Sequence, residues 1–247
     1  MITRYKQQSQ DINFDMTYKL YIGDRAFSSW SLRGWLMLEK FGLPHQVNLV
    51  GLYSGTMEND LSHLAPARTV PVMQTAGGHV ITDSLAMAET LAEAHPDIDF
   101  YPQDRGARAL ARSITAEMHS SFNALRGSCP MMLAFCWDGF QAGPDVHKDL
   151  ARIEELWSLA RERYGSKGPW LFGNYTLADV FYAPVAMRIT AYDLPVSSSG
   201  RAYVDAHLSD PAFLHWRSEG LKKTYDPWPY PQDLPRKPWP GDKAAEA

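Results

Sequence analysis

The sequence is poor in cysteine and has no surplus of basic residues. Only Cys129 and Cys136 occur among 247 residues, too few for a disulfide framework or a cysteine metal cluster. Because the first 128 residues contain no cysteine, chemistry housed there cannot use a thiol of the protein. The 24 lysines and arginines are outnumbered by 28 aspartates and glutamates, which gives a net charge of −4 and argues against nucleic acid as the main partner.

Long apolar runs are also missing. The longest, Met131 to Trp137, is far shorter than the roughly 20 residues needed to cross a bilayer. Residues 1–8 lack the apolar core of a signal peptide. We therefore expect a cytoplasmic protein without a membrane partner, in which both cysteines are buried, reduced thiols. The composition that remains, 45% hydrophobic and 21% charged, is typical of globular chains.

Two differently patterned regions follow one another along the chain. Residues 17–98 predict the order β-α-β-α-β-β-α, which is one compact α/β unit. Residues 103–225 show helical periodicity without alternating strands, which indicates an all-α bundle. A polar arm at 1–16 precedes them, and a proline-rich tail at 226–247 is expected to run extended along the surface.

The predicted elements have the following bounds. In the first region, strands are predicted at 18–22, 45–50, 70–74 and 79–82, and helices at 31–41, 56–64 and 83–94. In the second region, helices are predicted at 105–126, 145–164, 177–191 and 211–225.

A run of serines separates the first strand from the first helix. Ser28, Ser29 and Ser31 bring hydroxyls to a helix N-terminus, where unsatisfied N–H groups and the helix dipole favour an anion. A thiolate is one such anion, and its ordinary pKa of about 8.5 could be lowered there by one to two units. The simpler interpretation is that one serine only caps the helix.

A proline begins the third predicted strand. Pro71 removes a donor from the ladder, which is unusual inside a sheet. A cis bond after Val70 would leave the Val70 N–H and C=O free to pair with an extended peptide. A trans proline at a strand edge is the simpler interpretation.

An acid and a hydroxyl open the third helix. The Ser84 hydroxyl and N–H suit a carboxylate and the Asp83 carboxylate suits an ammonium, so together they suit an α-amino-acid head group. Arg68 could pair with a second carboxylate. An N-cap and a solvated surface arginine are the alternatives.

The helix at 177–191 carries a signal that concerns folding only. Thr176 and Asp179 form the two ends of a capping box, and Tyr175 and Val180 occupy the hydrophobic staple positions.

In this order, the serine turn, Val70-Pro71, Asp83-Ser84, a proline linker and a helical region with a Thr-x-x-Asp box resemble the cytosolic glutathione S-transferase family. The resemblance covers residues 18–225 and implies a thioredoxin-like domain followed by a helical bundle. Ser28-Ser29-Trp30-Ser31 is similar to the serine-type, zeta-like enzymes. Those carry cysteine where this chain has Trp30, which argues against the zeta-specific isomerase activity.

The resemblance also implies roles for individual residues, with glutathione as co-substrate and no metal. Ser28 would hydrogen-bond the glutathione sulfur, with Ser29 as the alternative, and Tyr21 ranks below both. Further roles are implied at Val70 before a cis Pro71 for the cysteinyl backbone, at Asp83 and Ser84 for the γ-glutamyl end, and at Arg68 near the glycyl end.

The electrophile would bind between the domains, and the resemblance implies a homodimer. His119 and Arg126, seven residues apart on one predicted helix face, are expected to touch a small polar or acidic electrophile; a solvated face is the alternative. Three functions stay open: a glutathione transferase, a maleylacetoacetate-isomerase-like enzyme, and a non-catalytic binding protein on the same fold.

Overall fold

Strand β1 (Tyr18–Ile22) is one of the two inner strands of the first sheet. The computed structural model describes residues 17–165, 168–225 and 227–242. Strand β1 pairs in parallel with β2 (His45–Leu49) and antiparallel with β3 (Val72–Gln74). Strand β4 (Val80–Ile81) pairs antiparallel with β3, so the order is β2-β1-β3-β4.

Three helices accompany this sheet. They are α1 (Ser29–Glu39), α2 (Met57–Leu61) and α3 (Ser84–Ala94). Helices α1 and α3 both begin at a residue whose side chain accepts hydrogen bonds from the first turn, Ser28 and Asp83 respectively. Capping therefore fixes where both helices start, next to the carboxyl end of β1 and the end of β4.

The helical region is built around one fully buried helix. Its helices are α4 (Arg105–Ser120), α5 (Asn123–Ser128), α6 (Pro144–Tyr164), α7 (Leu177–Ala191), α8 (Ser198–Leu208) and α9 (Pro211–Gly220). Every residue of α7 is buried, and the helix packs against α1, α4 and α8. Helix α7 therefore brings side chains of the helical region into contact with the α/β region.

The fold class expected from the sequence is confirmed: a thioredoxin-like sheet and helix unit is followed by a helical region. Strand β1 and helix α7 match their predicted bounds residue for residue. The capping box at Thr176 and Asp179 is present. Both cysteines are buried and free, as expected.

The predicted single helix at 105–126 is wrong. Helix α4 ends at Ser120, and Phe122 takes a left-handed backbone with φ of 62° before α5 starts. The apolar pattern runs through this break because Met118, Phe122 and Leu125 are all buried in the same core. The sequence pattern alone therefore carries no sign of the turn.

Two further helix predictions need correction. Helix α8 is missing from the sequence-based assignment because its start, Ser197-Ser198-Ser199-Gly200, has the composition of a loop, yet the Ser197 side chain caps it. Helix α9 ends at Gly220, five residues before the predicted end at 225.

The tail and the all-α assignment also differ in part from expectation. Strand β5 (Cys136–Trp137) pairs antiparallel with β6 (Arg236–Lys237), a ladder too short to show alternation in the sequence. Trp239 is buried, with 3% of its surface exposed, so this part of the tail packs into the core. The predicted arm at 1–16 lies outside the described residues, and the domain boundaries stay a prediction.

Of the helices in the described ranges, none combines the length and the apolar character needed to cross a bilayer.

Candidate active site

A cleft of about 610 Å³ lies between the start of α1 and the helical region. Ser28, Ser29 and Val70 line it from the α/β side. Arg126 on α5 and Arg188 on α7 line it from the helical side. Both regions of the chain therefore contribute polar groups to one cavity.

A second hollow of about 300 Å³ adjoins this cleft. The two cavities share Trp30, Thr69 and Val70 as lining residues. The hollow extends the cleft toward the start of α3, where its further lining residues are Pro71, Thr82, Asp83, Ser84 and His119. Together the two cavities form one continuous cleft, which we call the joint cleft.

The two serines at the start of α1 differ in their hydrogen bonds. Ser28 Oγ donates to Ser31 Oγ at 2.7 Å and accepts from the Ser31 N–H at 3.3 Å. Ser31 Oγ also accepts from the Gly23 N–H at 3.0 Å. Ser29 Oγ instead accepts from Arg188 Nη2 at 3.2 Å. The Ser29 proton has no acceptor among the described residues, whereas the Ser28 proton is engaged inside the turn.

The Val70–Pro71 peptide bond is cis, as the resemblance implied. Val70 is half-buried and lines both parts of the joint cleft. Within the ranges that the structure describes, neither the N–H nor the C=O of Val70 has a hydrogen-bond partner. An extended peptide in the cleft can therefore pair with both groups.

The start of α3 presents both an anionic and a donor group. Asp83 Oδ1 accepts from the N–H groups of Leu85 and Ala86, while Asp83 Oδ2 lies 3.3 Å from His119 Nε2. Ser84 is buried, with 2% exposed, and its Oγ has no partner among the described residues. A buried hydroxyl at a helix N-terminus that lines a cavity is suited to a carboxylate.

Trp30 contacts two guanidinium groups. The Arg33 and Arg126 guanidinium carbons each lie 4.6 Å from the Trp30 ring centroid. The His119 ring meets Trp30 edge-on at 5.4 Å between centroids. Burial lowers the pKa of His119; Asp83 opposes this shift, and Arg33 and Arg126 add to it.

Three arginines at this site lack a counter-ion. Burial lowers the pKa of Arg33, Arg126 and Arg188 alike, and in the described part of the chain no carboxylate forms an ion pair with any of them. Arg33 Nη1 and Arg188 Nε have no hydrogen-bond partner there either. Arg33 and Arg188 are buried and Arg126 is half-buried; because buried charges in proteins are normally paired, an anion would be stabilised beside these groups.

Most residues predicted from the sequence line the joint cleft. It brings together Ser28, Ser29, Val70, Pro71, Asp83, Ser84, His119 and Arg126. Arg68 is exposed and lines a hollow beside α2 that shares Met57 with the cleft, but Arg68 itself does not line the joint cleft. Tyr21 packs edge-on against His63 and does not line the cleft.

Among the lining residues that the sequence reasoning missed are Arg188 and Tyr230. Arg188 is the only basic residue of α7, and a lone arginine in an otherwise apolar helix was a usable signal. Tyr230 enters the cleft from the tail and bonds to the Tyr53 hydroxyl at 2.7 Å. No local pattern marks Tyr230, because the path of the tail brings it there.

Solved structures with the same architecture define the class of fold. A glutathione transferase homologue from Burkholderia gl BGR1 with bound glutathione is 25% identical, has a TM-score of 0.60, and covers 84% of this chain and 100% of its own. A maleylacetoacetate isomerase from Anaeromyxobacter dehalogenans with bound glutathione in its active site is 24% identical, with a TM-score of 0.58 and coverage of 81% and 94%. The fold is thus that of the glutathione transferases.

Sequence comparison gives the family. The model for the glutathione S-transferase N-terminal domain matches residues 27–94. The chain is 36% identical over 180 residues to a probable maleylacetoacetate isomerase of Caenorhabditis elegans, covering 72% of this chain and 81% of that protein. It is 31% identical over 209 residues to the maleylacetoacetate isomerase of Pseudomonas aeruginosa, covering 79% and 93%. The chain belongs to the glutathione S-transferase family, which confirms the resemblance seen in the sequence.

Proposed function

We propose that the protein is a glutathione transferase in which a serine hydroxyl at the start of α1 stabilises the thiolate of glutathione for addition to an electrophilic small molecule. One observation carries the proposal. Along the joint cleft lie, in order, polar groups suited to an amino-acid head group, the Val70 peptide groups without a partner among the described residues, and a serine hydroxyl. Glutathione offers an α-amino-acid end, a peptide and a thiol in the same order.

The start of α3 fits the γ-glutamyl end. Ser84 Oγ and the N–H groups of the first turn suit its carboxylate, and Asp83 Oδ2 suits its ammonium. The free N–H and C=O of Val70 suit the cysteinyl backbone, which directs the sulfur toward the α1 serines. Holding the thiol in this way aligns it with an electrophile in the wider part of the cleft.

The hydrogen bonds at α1 support Ser29 as the donor to sulfur. Its proton lacks an acceptor among the described residues, and Arg188 donates to its oxygen. Ser28 would have to release Ser31 before it could donate. Ser28 then keeps the turn in shape by capping α1.

Titration of the bound thiol separates the two serines. We expect Ser29→Ala to raise the pKa of bound glutathione by about one unit and to slow conjugation below that pKa about tenfold. Ser28→Ala should mainly lower the stability of the protein. Ser113→Ala, an exposed position on α4 whose hydroxyl bonds only to Ala109 C=O, is the matched control. Unchanged thiolate absorbance and turnover in both serine variants would remove the proposal.

A second function is favoured by the unpaired guanidinium groups. Arg126 and Arg188 line the cleft without a carboxylate partner in the described part of the chain, so an acidic electrophile fits there. A maleylacetoacetate-isomerase-like reaction adds the same thiolate reversibly to a dicarboxylate. Turnover of maleylacetone without net consumption of glutathione would separate this isomerase from the transferase.

A further inference from the structure

We propose that Arg188 is a positioning residue: its hydrogen bond holds the Ser29 hydroxyl so that the Ser29 proton points to the glutathione sulfur. This inference rests on the proposed function. Arg188 reaches Ser29 from α7, 159 positions further along the chain, and donates from Nη2 at 3.2 Å. A hydroxyl that accepts a charged donor has its own proton left to give, and accepting that bond strengthens the one it donates.

Packing does not explain why an arginine occupies this position. Helix α7 is buried along its whole length, and apart from Asp179 and Arg188 its residues are uncharged. The only other hydrogen bond of the Arg188 guanidinium to a described residue goes from Nη1 to Pro184 C=O of the same helix, at 3.2 Å. An unbranched apolar side chain would fill the site at a smaller desolvation penalty.

The charge of Arg188 also fits a thiolate. Arg188 is buried, with 5% exposed, yet it lines the cleft, and its Nε lacks a partner among the described residues. Burial lowers its pKa to about 10, so the guanidinium is still cationic at neutral pH. A glutathione thiolate held beside Ser29 would supply the negative charge that Arg188 lacks among the described residues.

Other charged and titratable groups face Arg188 from several elements. They are Arg33 of α1, Arg126 of α5, Cys129 at the end of α5, Tyr192 at the end of α7 and Tyr230 of the tail. Burial raises the pKa of Cys129 to about 12, and it also raises the pKa of Tyr192 above its ordinary value. Between pH 5 and 8 the bound thiol is therefore the group whose titration the Arg188 contact would change.

The test is a thiolate titration on the full-length protein with bound glutathione. Ultraviolet absorbance is followed against pH in wild type, Arg188→Met, Arg188→Lys, Ser29→Ala and the double variant Ser29→Ala/Arg188→Met. Thr190→Val is the matched control, because Thr190 is buried on the same helix and its hydroxyl bonds only to Ala186 C=O. Glutathione affinity and circular dichroism are recorded for every variant.

We expect Arg188→Met to retain the fold and glutathione binding while the bound thiol loses about tenfold in thiolate fraction at a pH below its pKa. Arg188→Lys keeps the charge but not the planar fork, and should recover part of that loss. In the Ser29→Ala background, Arg188→Met should change the fraction less than threefold, because the hydrogen bond to Ser29 is gone and only the direct attraction between the Arg188 charge and the thiolate remains.

The alternative outcomes are distinct. If wild type binds glutathione with a lowered thiol pKa and Arg188→Met titrates identically, the positioning role is wrong and the proposed function stands. An equal effect of Arg188→Met with and without Ser29 also overturns it. If Arg188→Met does not fold, Arg188→Lys decides, since a titration equal to wild type contradicts the need for the fork. If wild type does not bind glutathione, both proposals fail.

Discussion

Helices α7 and α3 both begin beside an aspartate that accepts hydrogen bonds from backbone N–H groups, but they differ in whether the neighbouring polar groups have partners. At α7, Asp179 is fully buried and accepts hydrogen bonds from the N–H of Leu171, the N–H and hydroxyl of Thr176 and the hydroxyl of Tyr203. At α3, Asp83 caps the helix but is exposed, and the neighbouring Ser84 hydroxyl is buried without a partner among the described residues. Among the described residues one helix start is therefore complete, and the other is not.

The start of α1 belongs with that of α3. Ser28 caps the helix, but Ser29 keeps an unused proton, and the arginine beside it lacks a counter-ion in the described part of the chain. All of these incomplete groups line one cleft. The comparison shows that helix starts with similar caps differ in whether the polar groups beside the cap are satisfied by the protein or left without a described partner beside a cavity.

The largest expected effect concerns the complete helix start. Asp179→Ala should lower the free energy of unfolding by roughly 4 kcal/mol, because four buried donors lose their acceptor. Denaturant unfolding measures it. Asp60→Ala is the control, since Asp60 accepts only from Gly51 N–H and Thr56 Oγ1 near the surface. Equal losses in the two variants would contradict the special weight given to the buried box.

The complete helix start is also what the sequence predicts best. Helix α7 follows residue for residue from Thr176 and Asp179 because a capping box is a local signal. Strand β1 follows from its alternation and the glycine after it. The cleft residues Ser28, Val70, Asp83 and Ser84 were predicted because each lies beside an element boundary that local chemistry marks.

The residues that escaped prediction are placed by tertiary structure. Arg188 and Tyr230 reach the cleft because α7 packs on α1 and the tail returns to the cleft; the lone arginine of α7 marks a buried charge in the sequence, but not which cavity it faces, and no local pattern marks Tyr230. Arg68 lines the hollow beside α2, and its expected role near the glycyl end of glutathione stays a prediction. The homodimer stays a prediction, because one chain carries no record of a partner.

The second prediction concerns an incomplete group that faces no cleft. His207 is buried among Trp170, Tyr175 and Tyr203, and its Nε2 has no partner among the described residues. Burial, with a smaller effect of Lys40, lowers the pKa of His207 to about 3. Below the unfolded pKa of about 6.5 the unfolded state binds a proton that the folded state refuses, so stability falls as pH drops.

His207→Phe should remove that dependence. Between pH 7 and pH 5 the variant should gain about 2 kcal/mol relative to wild type, at about 1.4 kcal/mol per pH unit below 6.5. Burial raises the pKa of Asp179 to about 6, which acts with the opposite sign but cancels in the difference. Denaturant unfolding at both pH values measures the effect. If the stability of wild type and variant changes equally between the two pH values, His207 does not cause the pH dependence. If the variant binds glutathione more weakly, His207 is not separate from the cleft.

The third prediction compares a serine beside the cleft, Ser84, with a serine that caps a helix, Ser197. Ser84→Ala should weaken glutathione binding about tenfold while leaving the free energy of unfolding nearly unchanged, because the hydroxyl has no partner to lose among the described residues. Ser197→Ala should do the reverse. Ser197 caps α8 and donates to Glu154, so its loss lowers stability by about 1 kcal/mol and leaves binding intact. Calorimetric titration and thermal unfolding of both variants measure the two effects, and a stability loss at Ser84 with unchanged affinity would reverse the assignment.

The smallest expected effect concerns the two cysteine thiols of the protein, as distinct from the thiol of glutathione. Cys129 and Cys136 are almost fully buried, and burial raises their pKa values to about 12 and about 11. Very little thiolate exists at neutral pH, so a thiol reagent added to the folded protein should modify neither cysteine and leave turnover unchanged. Unfolding in denaturant should make both react, which provides the control. Modification of the folded chain with loss of turnover would mean that one of these cysteines takes part in the chemistry, and the assignment of the reactive thiol to glutathione alone would no longer hold.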